Sequence, residues 1–111
     1  LHEGHNDIAV SRAYYAAFYA ATAALLAVDV RRTRHSGAVS AFHEHLVRCG
    51  EFTVEHHELL RRAFEDRHKW DYGTVFPSVP DVERRIAECR TFVEAVATFL
   101  ARKALLRSPT G

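Results

Sequence analysis

The sequence predicts an all-α fold, an up-and-down antiparallel bundle of four helices, and three observations carry that expectation. An alanine-rich stretch near the N-terminal end holds apolar residues at helical spacing on two faces at once. A later stretch repeats apolar residues by fours and threes in one unbroken stripe. Between them, no segment alternates with period two, and no internal repeat is visible.

The first helix is expected from a cap at Asn6 or Asp7 to about Asp29. Eight alanines fall between Ala13 and Ala27 with no glycine or proline among them, so helix propensity is high throughout. One stripe reads Ile8, Tyr15, Phe18, Thr22 and Leu25; the other reads Val10, Tyr14, Ala17, Ala21, Ala24 and Val28. A helix apolar on two faces is a central one, and its small residues let neighbours approach closely. Arg12 and Tyr15, one turn apart, are expected to point into the bundle, where buried polar groups need partners. Such a polar network would anchor the third helix.

Ser36 is the expected cap of a second helix running to about Cys49, with Gly50 as its stop. Thr53 caps a third helix that ends before Gly73. A loop from Gly73 to Pro77 leads to Ser78, which with Asp81 makes a Ser-x-x-Asp start for the last helix. Pro80 sits in its first turn, where a missing N–H costs little. Val82, Ile86, Cys89, Val93, Val96 and Leu100 form the last stripe, broadened by Phe92 and Phe99. Short loops between long helices imply antiparallel neighbours.

The 111 residues suffice for one domain, expected over 1–106, with 107–111 as a frayed tail. No apolar run is long enough to span a membrane, and no signal-peptide pattern opens the chain. A cytoplasmic protein with reduced Cys49 and Cys89 is therefore expected. The net charge of +1 gives no global attraction to nucleic acid. Charge is clustered, however: Arg31, Arg32, Arg34 and His35 in one group, Arg61, Arg62, Arg67, His68 and Lys69 in another. His35 stands near the N–H groups that open the second helix, an anion site that Gly37 keeps approachable. The histidine spacings fit no metal site, no glycine-rich phosphate loop is present, and no cofactor is expected.

In order, Ser11-Arg-Ala-Tyr-Tyr-Ala-Ala-Phe18, His35-Ser-Gly37 with Phe42, and Arg67 with Asp71-Tyr72 resemble the HEPN family. The closest likeness is to its small stand-alone bacterial and archaeal members, and it covers the chain from about Leu1 to Phe99. The chain opens at Leu1 without methionine, and the resemblance implies one further helix before this point. It also implies a homodimer with a composite cleft, and often a minimal nucleotidyltransferase partner in a toxin–antitoxin pair.

Many HEPN proteins are metal-independent ribonucleases marked by an arginine, four to six residues, then a histidine. The arginine stabilises charge on the scissile phosphate, and the histidine exchanges a proton near neutral pH. Here the matching arginine is Arg67, but the sequence continues as Arg67-x-x-x-Asp71-Tyr72 with no histidine at the required spacing. Arg61 and Arg62 do precede His68 by suitable intervals, but chance alone supplies such matches in a chain with 8 histidines.

The resemblance makes Arg67 the phosphate contact, with Asp71 orienting it, Tyr72 at the dimer cleft and His68 a candidate proton carrier. Tyr72 is also the hydroxyl that a nucleotidyltransferase partner would modify. Arg12, Arg34, His35 and Arg62 are candidate contacts to phosphate. An i,i+4 ion pair between Arg67 and Asp71, worth a few tenths of a kcal/mol, is the plain structural alternative. Three readings stay open: an RNA-cleaving toxin, a non-catalytic module binding RNA, nucleotide or a nucleotidyltransferase, and a purely structural helical partner.

Overall fold

The computed structural model describes the backbone of residues 3–32, 34–72 and 78–107, and side chains within 9–32, 34–67 and 78–106. Four helices run through it: α1 (Glu3–Leu26), α2 (His35–Phe42), α3 (Val54–Tyr72) and α4 (Val79–Arg107). A π-helical turn, His43–Val47, continues α2. The all-α bundle expected from the sequence is what forms. The expected loop 73–77 and the tail beyond Arg107 lie outside the described residues.

Helix α1 is the centre of the domain: it packs along α4 and also touches α2 and α3. Tyr14, Ala17, Ala21 and Ala24 are at most 1% exposed, so the second of its two stripes faces the packed interior. Alanine there keeps the α1 and α4 backbones close, and α4 answers with Cys89, Phe92, Val96 and Phe99, all buried. At one end of the bundle, Phe42, Phe52, Phe92 and Phe99 form an aromatic chain with ring centroids about 5 Å apart.

The helix ends show which local signals decide. Among the described residues, helix α1 already includes Glu3, ahead of the Asn6 and Asp7 caps, because nothing in those residues stops a helix from extending towards its N-terminus. It closes on Asp29, at φ 62°, with Val30 N–H donating to Leu25 O at 2.9 Å and Asp29 N–H to Leu26 O at 2.9 Å. That is the Schellman pattern with aspartate in the left-handed position, one of the few non-glycine residues that tolerates it.

Helix α2 begins at His35, not after a Ser36 cap. Arg34 is the extended N-cap residue and no side chain caps the helix. After Phe42 the ladder widens to i→i+5, with Arg48 N–H donating to His43 O at 3.1 Å. This π-helical turn coexists with full burial of both Phe42 and Leu46, and it is invisible to a search for period 3.6. Gly50 ends the segment as expected, at φ 88°, while Glu51 N–H and Gly50 N–H close onto Leu46 O and Val47 O at 3.0 Å. Gly50→Ala is therefore expected to cost about 1 kcal/mol, read as a lower melting temperature with the fold retained.

Thr53 caps α3 as expected. Its Oγ1 accepts the His56 N–H at 3.2 Å, and His56 Nδ1 accepts the Thr53 N–H at 3.1 Å. This is a capping box with histidine where glutamate is usual. Ser78 opens α4 in the same way, its Oγ accepting the Asp81 N–H at 3.2 Å.

Helices α3 and α4 are also joined by charge. Arg85, only 8% exposed, donates from Nε to Asp66 at 2.8 Å and from its terminal nitrogens to Asp66 and Glu88. Glu88 also receives Arg62 at 3.2 Å. On α3, Arg61 is clasped between Glu58 and Glu65, each at 2.6 Å.

Candidate functional site

The chemistry gathers at the crossing of α1, the start of α2, and α3. Tyr14 and Tyr15 are consecutive on α1, so their rings leave the helix about 100° apart. They meet edge to face, with centroids 5.4 Å apart. Tyr14 is 1% exposed, whereas Tyr15 is half-buried. Arg67, on α3, lays its guanidinium over this pair, 4.7 Å from the Tyr15 ring and 5.6 Å from the Tyr14 ring. Two rings thus border one positive charge, a cation–π arrangement made more often by arginine than by lysine.

The third element delivers His35. Its Nδ1 lies 2.9 Å from the Tyr14 hydroxyl. The imidazole packs on Phe18, with centroids 4.1 Å apart, and meets the edges of Tyr15 and Phe64 at 5.8 and 6.4 Å. It therefore sits in an aromatic pocket, half-exposed at the first residue of α2. Partial burial, followed by the positive charge of Arg67, lowers its pKa below the ordinary 6.5. Burial raises the Tyr14 pKa well above the usual tyrosine range, against the opposing pull of Arg67, and keeps the hydroxyl protonated.

His57 is also shifted down, first by burial and then by His43, whose ring is 5.0 Å away. Both histidines bind a proton more weakly when folded than when unfolded. Their contribution to stability is thus complete above the unfolded value near 6.5 and declines as pH falls through it.

The residues expected to form the site divide sharply. Arg67 and His35 come together around Tyr14 and Tyr15. Arg12 does not point into the bundle. It is exposed, on the outer row of α1 with Ala16, Tyr19 and Leu26, because that row lies opposite the Tyr14–Ala17–Ala21 face. The expected anchor of the third helix onto the α1 tyrosines exists, but Arg67 makes it instead. Arg62 lies on the α4-facing row of α3, paired with Glu88 and, at 3.7 Å, with Glu58. Arg34 is exposed beside His35 at the N-cap of α2. A Cβ added at Gly37 would meet Arg32 Cδ at 3.6 Å, an ordinary contact. The backbone of α3 continues through His68, Asp71 and Tyr72, whose side chains lie outside the described residues.

The sequence reading passed over Tyr14 as a site residue, treating it only as a member of the buried stripe. Phe18, which walls His35 together with Phe64, was likewise a stripe position, and Phe64 had no assigned role. Nothing local marks a hydrogen bond that spans 21 positions. Burial also pushes the Cys89 thiol up to about 11, so it is a core residue rather than a nucleophile. Among the described residues, no group of three or more histidine, cysteine or acidic side chains could hold a metal ion, and no helix is long and apolar enough to cross a membrane.

Comparison with known proteins agrees with this architecture. No solved structure matches the chain. It is 39% identical over 98 residues to a UPF0332 protein of Gloeobacter violaceus, covering 86% of this chain and 78% of that one. A UPF0332 protein of Thermotoga maritima is 35% identical over 89 residues, 79% of this chain and 67% of its own. A Methanocaldococcus jannaschii protein named "Putative toxin MJ0142" is 29% identical over 102 residues, 91% of this chain and 69% of its own. The family model described as HEPN domain matches residues 1–107. With its all-helical fold, this chain belongs to the HEPN family.

Proposed function

We propose that this chain is a toxin-type HEPN protein that acts on RNA, with Arg67 as the phosphate contact. The observation that carries this is the seating of Arg67 on Tyr15 and Tyr14, with His35 hydrogen-bonded to Tyr14 and in ring contact with Tyr15. A guanidinium held between two aromatic rings loses little freedom when it binds a phosphate in its fork. Tyr19, 64% exposed on α1 and stacked with Tyr15 at 6.1 Å, offers a face on which a base can stack. Similarity to proteins named as toxins supports the same direction.

In this reading the chain works as a homodimer whose two copies of the site share a cleft, and a minimal nucleotidyltransferase restrains it. Asp71 orients Arg67, and Tyr72 is the hydroxyl open to modification. Solitary expression is expected to arrest growth, and Arg67→Ala or the partner to relieve the arrest. Purified protein is expected to cleave total cellular RNA in the presence of a chelator, and Arg67→Ala to lower that rate by about 100-fold or more. Unchanged growth with abundant folded protein, together with intact RNA, would sink the toxin reading.

The sequence Arg67-x-x-x-Asp71-Tyr72 favours a second reading, because it lacks the histidine of the family's ribonuclease motif. There the same cleft binds RNA or nucleotide, or docks the partner, without cleaving. Affinity would then fall with salt, and removing Arg67 would reduce the salt slope by about one.

A further inference from the structure

We propose that His35 is the proton-transfer group of the Arg67 site, with Tyr14 fixing the orientation of its ring. This rests on the reading of Arg67 as the contact to RNA phosphate, and it names the group that the Arg67 motif itself does not supply.

The argument is one of position. His35 comes from the start of α2, far from Arg67 in sequence, yet both pack against the same two tyrosines: Tyr14 lies 5.5 Å from the imidazole and 5.6 Å from the guanidinium. Phe18 and Phe64 close the imidazole's apolar sides. The groups facing His35 are Tyr14 and Tyr15 from α1 and Arg67 from α3, with Arg34 beside it in sequence. No carboxylate among the hydrogen bonds and ion pairs of the described residues reaches the ring to hold it protonated. An imidazole with cationic and phenolic neighbours is neutral at pH 7 and free to accept a proton.

Tyr14 holds Nδ1, which leaves Nε2 as the nitrogen turned to the proton. Its buried hydroxyl stays protonated and lies 2.9 Å from Nδ1, a pair in which either group can donate; in the proposed step the phenol oxygen accepts Nδ1–H. That assignment leaves Nε2 as the basic nitrogen. When the ring becomes imidazolium, Nδ1–H keeps the same acceptor, so the ring need not turn during the reaction.

The step balances without an added reagent. The 2′-hydroxyl of a ribonucleotide gives its proton to Nε2 as its oxygen bonds to phosphorus. The bond from phosphorus to the 5′ oxygen breaks, with the electron pair on that oxygen, which receives the proton back from the imidazolium through water. The products are a 2′,3′-cyclic phosphate and a 5′-hydroxyl end. Nothing is oxidised or reduced, and Arg67 neutralises the charge that builds on the phosphate oxygens.

The test is the pH profile of cleavage of a labelled oligoribonucleotide by the full chain, with chelator present, between about pH 5 and 8. Native protein is expected to show an acidic limb below the ordinary histidine value. His35→Gln is expected to lose that limb and about 10²- to 10⁴-fold in rate, while RNA binding persists. Tyr14→Phe is expected to move the limb.

Cleavage by His35→Gln with native rate and limb would overturn the role of His35 and leave the Arg67 reading standing. No cleavage by native protein would overturn the role of His35 and the RNA-cleaving reading, with salt-dependent RNA binding lost in Arg67→Ala showing whether Arg67 is still the phosphate contact. Ends carrying 5′-phosphate would overturn the step as written. Should His35→Gln fail to fold, histidine NMR of the native chain decides. The His35 resonance is expected to move when a 2′-deoxy oligonucleotide is added, and its failure to move would refute the proposal.

Discussion

Arg85→Ala is expected to destabilise the domain by about 3 kcal/mol or more, a larger loss than any other single charge removal should cause. The guanidinium is 8% exposed and is the only cation among the described ion pairs that binds Asp66; it also holds Glu88. Removing it leaves two carboxylates facing each other in the α3–α4 seam, where their side chains are 18% and 22% exposed. Arg62 can compensate only Glu88, from 3.2 Å. Urea unfolding measures the loss as a lower midpoint with an unchanged slope.

The control separates charge from packing. Arg85→Met together with Asp66→Leu removes the pair and fills its volume, and it is expected to recover most of the loss, since a buried ion pair often breaks even with an apolar replacement. An Arg85→Ala effect below about 1 kcal/mol would mean that the seam is wet enough to solvate both carboxylates.

This ion-pair seam also shows where sequence reading stops. The fold was legible because helix, stripe and stop signals are local. Gly50, Thr53, Ser78 and the Ala-rich face of α1 each act within a few residues of themselves. Arg85 lies in phase with Val82, Cys89, Phe92, Val96 and Phe99, the buried row of α4, which sets it apart from exposed Arg84, but nothing within a turn names its partner. Its burial is created by α3, which brings Asp66 from 19 positions away.

The same limit produced the exchange of arginines at the site. Arg12, one turn before Tyr15 on a helix, is the nearest cation in sequence. The nearest in space is Arg67, because α3 crosses the tyrosine face and Arg12 projects from the opposite one. The π-helical turn after Phe42 is a further case: it follows a fully buried phenylalanine and reflects packing, not propensity. His35 was legible as a candidate for phosphate, since it opens a helix beside Arg34. Its bond to Tyr14 required the fold.

Arg67→Lys gives the second large effect, and it tests what the tyrosine platform is for. If Arg67 supplied only charge, lysine would replace it nearly as well, since an ammonium also binds aromatic faces. The guanidinium carbon is 4.7 Å from the Tyr15 ring centre and 5.6 Å from that of Tyr14, so two rings fix the position of one cation. Lysine would keep the charge but lose the fork with which an arginine can bind two phosphate oxygens at once.

Cleavage by Arg67→Lys is therefore expected to fall about 100-fold, close to the loss in Arg67→Ala, with thermal stability changed by no more than about 1 kcal/mol. RNA affinity should separate the two variants, because lysine retains the counterion released on binding and alanine does not. Cleavage near the native level in Arg67→Lys would reduce Arg67 to a source of charge and make the stacked tyrosines a structural feature of the α1–α3 contact. Loss of cleavage with retained affinity would show that the site depends on the orientation of its cation, which Tyr14 and Tyr15 impose from a helix whose alanines let α4 close in behind it.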